Sequence, residues 1–301
     1  MSQTFAHSLA CIVGEGNVLE NEPLSRHTTF EIGGPAALFV RPRTVAEVRA
    51  VARLCAEVGV PWRVIGCGSD LLVSDAGVEG VVIEIRDNLS SITVEDGAIV
   101  AGAGATNAAV AEAACVAGLS GYEFASGIPG TVGGAAIMNA GAYDGEFSRV
   151  CESVTCVTPE GDVVIVPAAD ADWSYRHSMF DTRGYIVVEA RLSLAKADPA
   201  AIRARMDELA EKRAAKQPLD MPSAGSTFKR PEGHYAAALI DEAGLRGFAV
   251  GGAQVSTKHT GFVVNVHGAT AHDVASLIDE VRKRVLDHSG IRLECEVRFW
   301  E

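Results

Sequence analysis

Residues 90–195 constrain the fold more than any other stretch of the chain. Five strand-like runs (92–94, 98–101, 150–158, 163–166 and 185–194) share this region with one helical pattern at 106–117. Repeated βαβ units would need a helix between successive strands, so the ordering predicts an α+β arrangement. The flanking regions are built differently. Residues 1–30 read as a polar leading segment with weak periodicity. A strand at 37–40 precedes Thr44, which with Glu47 three residues later has the form of a capping box. Val45, Val48, Val51, Ala52, Cys55 and Val58 follow at helical spacing, and Gly59 stops the helix. Strands at 62–65 and 81–85 come next, with a glycine-bearing loop at the carboxyl end of the first of them.

After residue 197 the pattern changes again. Asp198-Pro199 opens a long charged helix that ends before Pro218. A short helix at 235–242 stops at Gly244, and Val274, Leu277, Ile278, Val281 and Val285 mark the apolar stripe of another. The last segment alternates: Ile291, Leu293, Cys295, Val297 and Phe299 on one face, Arg292, Glu294, Glu296 and Arg298 on the other. That period of two predicts a half-buried final strand.

Charge and cysteine usage narrow the classes of function. A formal net charge of −13 argues against a nucleic-acid partner, because phosphate backbones are bound through Lys and Arg. It leaves room for one small anion in a locally basic pocket. The seven cysteines (11, 55, 67, 115, 151, 156 and 295) include no C-x-x-C pair, so no metal site or redox dithiol is expected. Buried free thiols are. There is no basic-then-apolar leader and no apolar run of the ~18 residues that a membrane span needs, which predicts a cytoplasmic protein with no membrane partner. Oligomeric state is not legible.

Several motifs carry chemistry. Gly66-Cys67-Gly68-Ser69-Asp70 begins like a dinucleotide fingerprint, but Leu71 stands where the third glycine belongs. It is either a phosphate cradle or a plain turn. Ser126-Gly127-Ile128-Pro129-Gly130-Thr131-Val132-Gly133-Gly134 packs four glycines and a proline into nine residues. That composition lets a large ligand approach main-chain amides, and the helical stretch after it would aim a helix N-terminus at an anion. Arg176, in Ser174-Tyr175-Arg176-His177-Ser178, is either a bidentate carboxylate clamp or a surface ion-pair partner. Pro222 and Pro231 bracket a loop bearing Ser226, Lys229 and Arg230, suited to an anion. Ser226 alone reads as structural, and Glu296 alone as a solvated strand carboxylate.

Taken in order, these segments resemble the UDP-N-acetylenolpyruvoylglucosamine reductases. The resemblance rests on 28–36, 66–75, 126–143, Tyr175-Arg176, 225–231 and 293–297, and spans nearly the whole chain. The chain is similar to the shorter type of this family, which lacks an extra loop in the substrate domain. The resemblance implies an FAD-binding PCMH-type (vanillyl-alcohol-oxidase-like) fold of two subdomains, at 1–89 and 90–197. A C-terminal α/β substrate-binding domain at 198–301 would then carry Glu296 to the active site on its last strand. It departs from the family in the phosphate loop, where Gly-Gly-Gly-Ser-Asn is usual. Cys67 adds bulk there and Asp70 adds charge.

The implied reaction is reduction of a UDP-sugar enolpyruvyl ether by NADPH through non-covalent FAD, in peptidoglycan precursor synthesis. By the resemblance, Arg176 and Glu296 stabilise the enolic intermediate and Ser226 donates the proton. Gly66, Cys67, Gly68, Ser69, Asp70, Ser126, Gly127, Ile128, Pro129, Gly130, Gly133 and Gly134 hold FAD. Tyr143, Tyr175 and Lys229 meet the substrate. Competing readings are another flavin oxidase of the same fold and a non-catalytic flavin or UDP-sugar binder. The motif at 225–231 argues against the first, and the combined Arg176, Ser226 and Glu296 against the second.

Overall fold

The computed structural model describes residues 3–301, which form two compact units. The first comprises the chain up to Glu20 with Ala37–Cys67 and Glu79–Lys212; the second comprises Asn21–Ala36, Gly68–Val78 and Arg213–Glu301.

The first unit is organised around the strands read at 90–195. They form one five-stranded antiparallel sheet in the order Val163–Pro167, Cys151–Val157, Ile186–Ser193, Ala98–Gly102, Ile92–Glu95. Val154 lies opposite Ala190 and Ala190 opposite Ala101, all buried, so small side chains on the central strands let the covering layer sit close. A second sheet has the order Val18–Pro23, Pro35–Val40, Val78–Glu84, Trp62–Ile65, the last two strands parallel.

The helix Val45–Val58 starts and stops where expected. Thr44 Oγ1 accepts from the Glu47 N–H at 3.1 Å, and Gly59 closes it in the left-handed region at φ 71°. The Glu47 carboxylate, however, accepts the Arg43 N–H at 2.6 Å, so it caps one residue earlier than a capping box requires.

The leading segment is more ordered than its sequence suggested. Gln3–Val13 is a helix that buries Phe5, Leu9 and Val13 in the same core as Val48 and Val51. The i, i+4, i+8 spacing was present, but only one residue per turn is buried, too narrow a stripe to stand out. The charged helix Pro199–Lys216 is similarly narrow, burying Ile202, Met206 and Leu209.

In the second unit the strands Ser223–Ser226, Phe262–Asn265, Ala253–Val255 and Ala249–Val250 pair in that order. The helix Ala271–Ser289 packs on them through the five stripe residues named from the sequence. Its start is doubly capped. Thr270 and Asp273 close a complete capping box, and the Asp75 carboxylate accepts the Ala271 and His272 N–H groups at 2.8 and 3.0 Å. Both anions also complement the positive end of the helix dipole. Asp75→Ala is expected to destabilise this unit by about 1 kcal/mol, lowering the thermal midpoint by roughly 2–4 °C. Thermal unfolding monitored by circular dichroism checks it, and an unchanged midpoint would mean water replaces the carboxylate without loss.

The final segment differs from the expected continuous strand. Leu293 and Val297 are buried as the alternation required, but a bend at Val297 reverses the parity, so Phe299 is exposed and Trp300 buried. Regular strand covers only Arg298–Trp300, parallel to Leu71–Val73. The reason is a change of partner: residues 294–296 lie against 227–229, then the chain moves to 71–73.

The cysteines are free. Cys55, Cys115, Cys151 and Cys156 are buried and Cys67 and Cys295 partly so, as expected of buried free thiols, and Cys11 is the exception on the surface. Burial pushes the Cys55 thiol up to about 11 and the Cys151 and Cys156 thiols up to about 12. Such thiols stay protonated and unreactive near neutrality. Among the described residues no helix is long and apolar enough to cross a membrane.

Candidate active site

In the second unit Ser226 and Glu296 stand on neighbouring segments. The Glu296 N–H donates to the Thr227 carbonyl at 2.9 Å, and the Lys229 N–H to the Glu294 carbonyl at 2.8 Å, with Phe228 opposite Cys295. Thr227 is the anchor: it is 1% exposed, its N–H donates to the Gly261 carbonyl, and its Oγ1 accepts the Val263 N–H at 3.0 Å. Phe228 is buried beside it, whereas Ser226 is exposed and Glu296 half-buried. A register slip between Ser223 and Ser226 lets the exposed serine follow the buried Ala224. It is made by Gly225 at φ 74°, a bulge conformation that glycine adopts without strain. So a fixed β framework holds the segment of Ser226 beside the segment of Glu296. The Lys229 ammonium is 3.8 Å from the Glu294 carboxylate and 40% exposed, a loose pair that an anion could displace.

Arg176 belongs to the first unit, at the tip of a two-residue turn. Ser174 and His177 exchange backbone hydrogen bonds at 3.2 and 3.1 Å, leaving Tyr175 and Arg176 between them. Arg176 has φ 55°, the left-handed region that a type II turn assigns to its third residue and that normally selects glycine. Its guanidinium lies 4.9 Å from the Tyr175 ring centroid and reaches the Gly141 carbonyl at 3.5 Å. Gly141–Ala142 pairs with Gly145–Glu146 around Tyr143 and Asp144, at φ 49° and 66°. Positive φ at both central positions is a type I′ turn, which favours glycine, asparagine and aspartate, so Asp144 suits it and Tyr143 does not. Backbone strain of this kind concentrates at functional sites. Tyr143, Tyr175 and Arg176 therefore share one strained corner of the first unit.

The first glycine loop requires its glycines. In the first unit, a Cβ on Gly66 would come within 2.5 Å of Thr131 Oγ1, so the first loop packs directly on Thr131 of the second. In the second unit, Gly68 has φ 58°, and a Cβ there would meet the His27 carbonyl oxygen at 2.3 Å. The expected anion-binding helix N-terminus is not borne out. The helix Val132–Met138 does begin there, capped by Thr131, but Val132 and Gly133 donate to the Ala105 and Ala103 carbonyls at 2.8 Å, and Gly134 donates to Thr131 Oγ1. The first-turn amides are engaged within the fold because the helix is seated on the backbone after Ala98–Gly102.

Sequence reading missed two buried asparagines here. Asn107 directs its amide to the Ile128 and Gly130 carbonyls and accepts the Tyr122 hydroxyl at 2.8 Å, fixing the loop from behind. Burial holds that hydroxyl protonated, well above the usual tyrosine range. Asn139 ends the helix Val132–Met138 in the left-handed conformation. An asparagine closing a predicted helix is a known left-handed cap signal, and was the available clue. Cys67 is a neutral thiol raised by burial, with Arg86 opposing and Asp87 and Glu84 reinforcing the shift. The Asp70 carbonyl accepts the Arg298 N–H at 2.9 Å, tying the end of the first loop to the final strand.

Comparison with known proteins gives a consistent picture. Residues 217–300 match a family model described as UDP-N-acetylenolpyruvoylglucosamine reductase, C-terminal domain, and residues 36–166 match one described as FAD binding domain. The UDP-N-acetylenolpyruvoylglucosamine reductase of Agathobacter rectalis is 48% identical over 313 residues, covering 99% of both chains. The crystal structure of UDP-N-acetylenolpyruvylglucosamine reductase from Thermus caldophilus superposes with a TM-score of 0.81 at 35% identity, covering 94% of this chain and 98% of that one. A p-cresol methylhydroxylase structure, at 15% identity and a TM-score of 0.52, covers 98% of this chain and 66% of that one. That last likeness concerns the fold alone.

Proposed function

Since the chain belongs to the UDP-N-acetylenolpyruvoylglucosamine reductase family, we propose that Arg176, Ser226 and Glu296 do the protein's part of its reaction. The enzyme is a flavin-dependent oxidoreductase. With NADPH and FAD it reduces UDP-N-acetyl-3-O-(1-carboxyvinyl)-glucosamine to UDP-N-acetylmuramate in peptidoglycan synthesis. Its fold is the PCMH-type FAD-binding fold joined to the family's C-terminal domain.

The chain's own geometry fits FAD. Gly66 packs against Thr131 and Gly68 takes a left-handed turn against His27, the kind of compact glycine turn whose main-chain amides can cradle a phosphate. Gly66, Cys67, Gly68, Ser69 and Asp70, with Ser126, Gly127, Ile128, Pro129, Gly130, Gly133 and Gly134, would hold the cofactor without a covalent bond. A protonated, uncharged Cys67 adds no repulsion toward a pyrophosphate. Bound FAD supplies the redox chemistry that links NADPH to the vinyl ether. Residues 1–89 and 90–197 carry the flavin in this reading, and 198–301 the substrate.

Reduction of the vinyl ether leaves negative charge on the carbon that bears the carboxylate. Arg176 would neutralise the carboxylate into which that charge spreads, and its turn fixes it before substrate arrives. Ser226 would donate the proton to carbon; a hydroxyl is a weak acid, but a carbanion is a strongly basic acceptor. Glu296 would stabilise the enolic charge as a neutral carboxyl or by orienting its neighbours. Lys229 would meet the diphosphate or the carboxylate, and Tyr143 and Tyr175 the sugar and uridine. The observation that carries this reading is the Glu296–Thr227 backbone bond, which ties the serine and carboxyl segments into one framework. A UDP-sugar substrate and a nicotinamide donor point to the cytoplasm.

The purified protein should be yellow, and should oxidise NADPH only when UDP-N-acetylenolpyruvoylglucosamine is added. A colourless protein, or NADPH oxidation indifferent to the substrate, would defeat the reading.

A further inference from the structure

Two turns of the first unit, which carry the left-handed, non-glycine residues Tyr143, Asp144 and Arg176, are tied to one buried side chain. Asn139 is 1% exposed, and its amide is fully engaged. Nδ2 donates to Glu146 Oε1 at 2.8 Å and to the Ser174 carbonyl at 3.1 Å, while Oδ1 accepts the Ser148 N–H at 3.0 Å. Ser174 is the first residue of the turn that carries Arg176, and Glu146 pairs with Gly141, whose carbonyl Arg176 reaches. Asn139 itself caps the helix that starts at Thr131 on the second glycine loop. A second tie runs alongside, from Ser178 Oγ to the Ile137 carbonyl at 2.8 Å.

Turns held in unfavourable backbone regions persist only where their surroundings over-determine them. Both turns lack the glycine that would relax them, and both are bonded to the same amide. Asn139 therefore couples the two turns, alongside the Arg149 guanidinium that donates to the Asp144 carbonyl at 2.7 Å, and with them the position of the Arg176 guanidinium. We propose that Asn139 is a positioning residue for the reduction, acting through Arg176: it sets where the guanidinium waits for the substrate carboxylate. The inference rests on the role given to Arg176 above.

The test uses the flavin-loaded enzyme and follows each half-reaction by stopped flow. Asn139→Gly keeps the left-handed backbone free of strain at φ 41° while removing all three side-chain bonds. Asn139→Asp retains the acceptor for Ser148 and loses both donors. Flavin content and reduction by NADPH should stay normal in both. Reoxidation by the enolpyruvyl substrate should fall on the order of 10²-fold in Asn139→Gly, the scale of an ångström's misplacement of a reacting partner.

Coupling decides the mechanism. In an Arg176→Ala background the Asn139→Gly change should produce no further loss, because the residue it positions is gone. An undiminished reoxidation rate in a folded, flavin-bound Asn139 variant overturns the proposal. So does an equal additional loss on top of Arg176→Ala, or a parallel decline of both half-reactions in Asn139→Asp and Asn139→Gly alike. If Arg176→Ala alone reoxidises normally, it is the role of Arg176 that fails.

Discussion

Replacing Ser226 with alanine is expected to leave flavin reduction by NADPH intact and to slow reoxidation by the enolpyruvyl substrate on the order of 10²- to 10⁴-fold, the usual worth of a positioned proton donor. The change is clean in structural terms. Ser226 is exposed, and the framework around it is anchored by buried Thr227 and Phe228, neither of which depends on the serine side chain. Stability should therefore move by no more than about 0.5 kcal/mol. A loss confined to one half-reaction separates proton donation from flavin binding, because the flavin must be held correctly for NADPH to reduce it at all. Product formed in deuterated solvent adds a second readout: the carbon bearing the carboxylate should acquire its deuterium far more slowly in the variant. If both half-reactions run at full speed, Ser226 is a surface serine and the proton comes from elsewhere.

Glu296→Gln should give a comparable loss in the same half-reaction. Glutamine keeps the length and shape of the side chain, and the Glu296 N–H bond to the Thr227 carbonyl is a backbone contact that the substitution does not touch. Only the ability to exchange a proton or carry a charge is removed. Slowed flavin reduction in this variant would point instead to a disturbed flavin site or a folding defect. The Ser226→Ala, Glu296→Gln double variant should be little worse than either single one, since residues that act as a unit lose their joint contribution once.

The regular parts of this fold were legible because they follow local rules. The strands at 92–95, 98–102, 151–157, 163–167 and 186–193 announced themselves by apolar period and turn residues, and Thr44 and Gly59 cap their helix through local bonds. What sequence could not give depends on partners distant in the chain. The parity flip at Val297 exists because the chain changes neighbours there. The loss of the helix N-terminus at Thr131 as an anion site depends on carbonyls of Ala103 and Ala105. The strain at Arg176 was invisible because arginine carries no turn signal, and one of the bonds that hold its turn comes from Asn139, 37 positions earlier. For the site, the motif order identified which residues to inspect, while their individual readings leaned toward ordinary structural roles.

The pairing of Arg298–Trp300 with Leu71–Val73 has a consequence for biosynthesis. The second unit draws together Asn21–Ala36, Gly68–Val78 and Arg213–Glu301. A nascent chain exposes its first two pieces long before the third leaves the ribosome. During that interval Leu72 and Phe30, both buried in the finished unit, have no core to enter. Closing such long loops is slow, and apolar segments left waiting are prone to aggregate. The second unit can close its core only after Arg213–Glu301 is available, so refolding of the full chain is expected to be slower than that of a protein whose domains are contiguous.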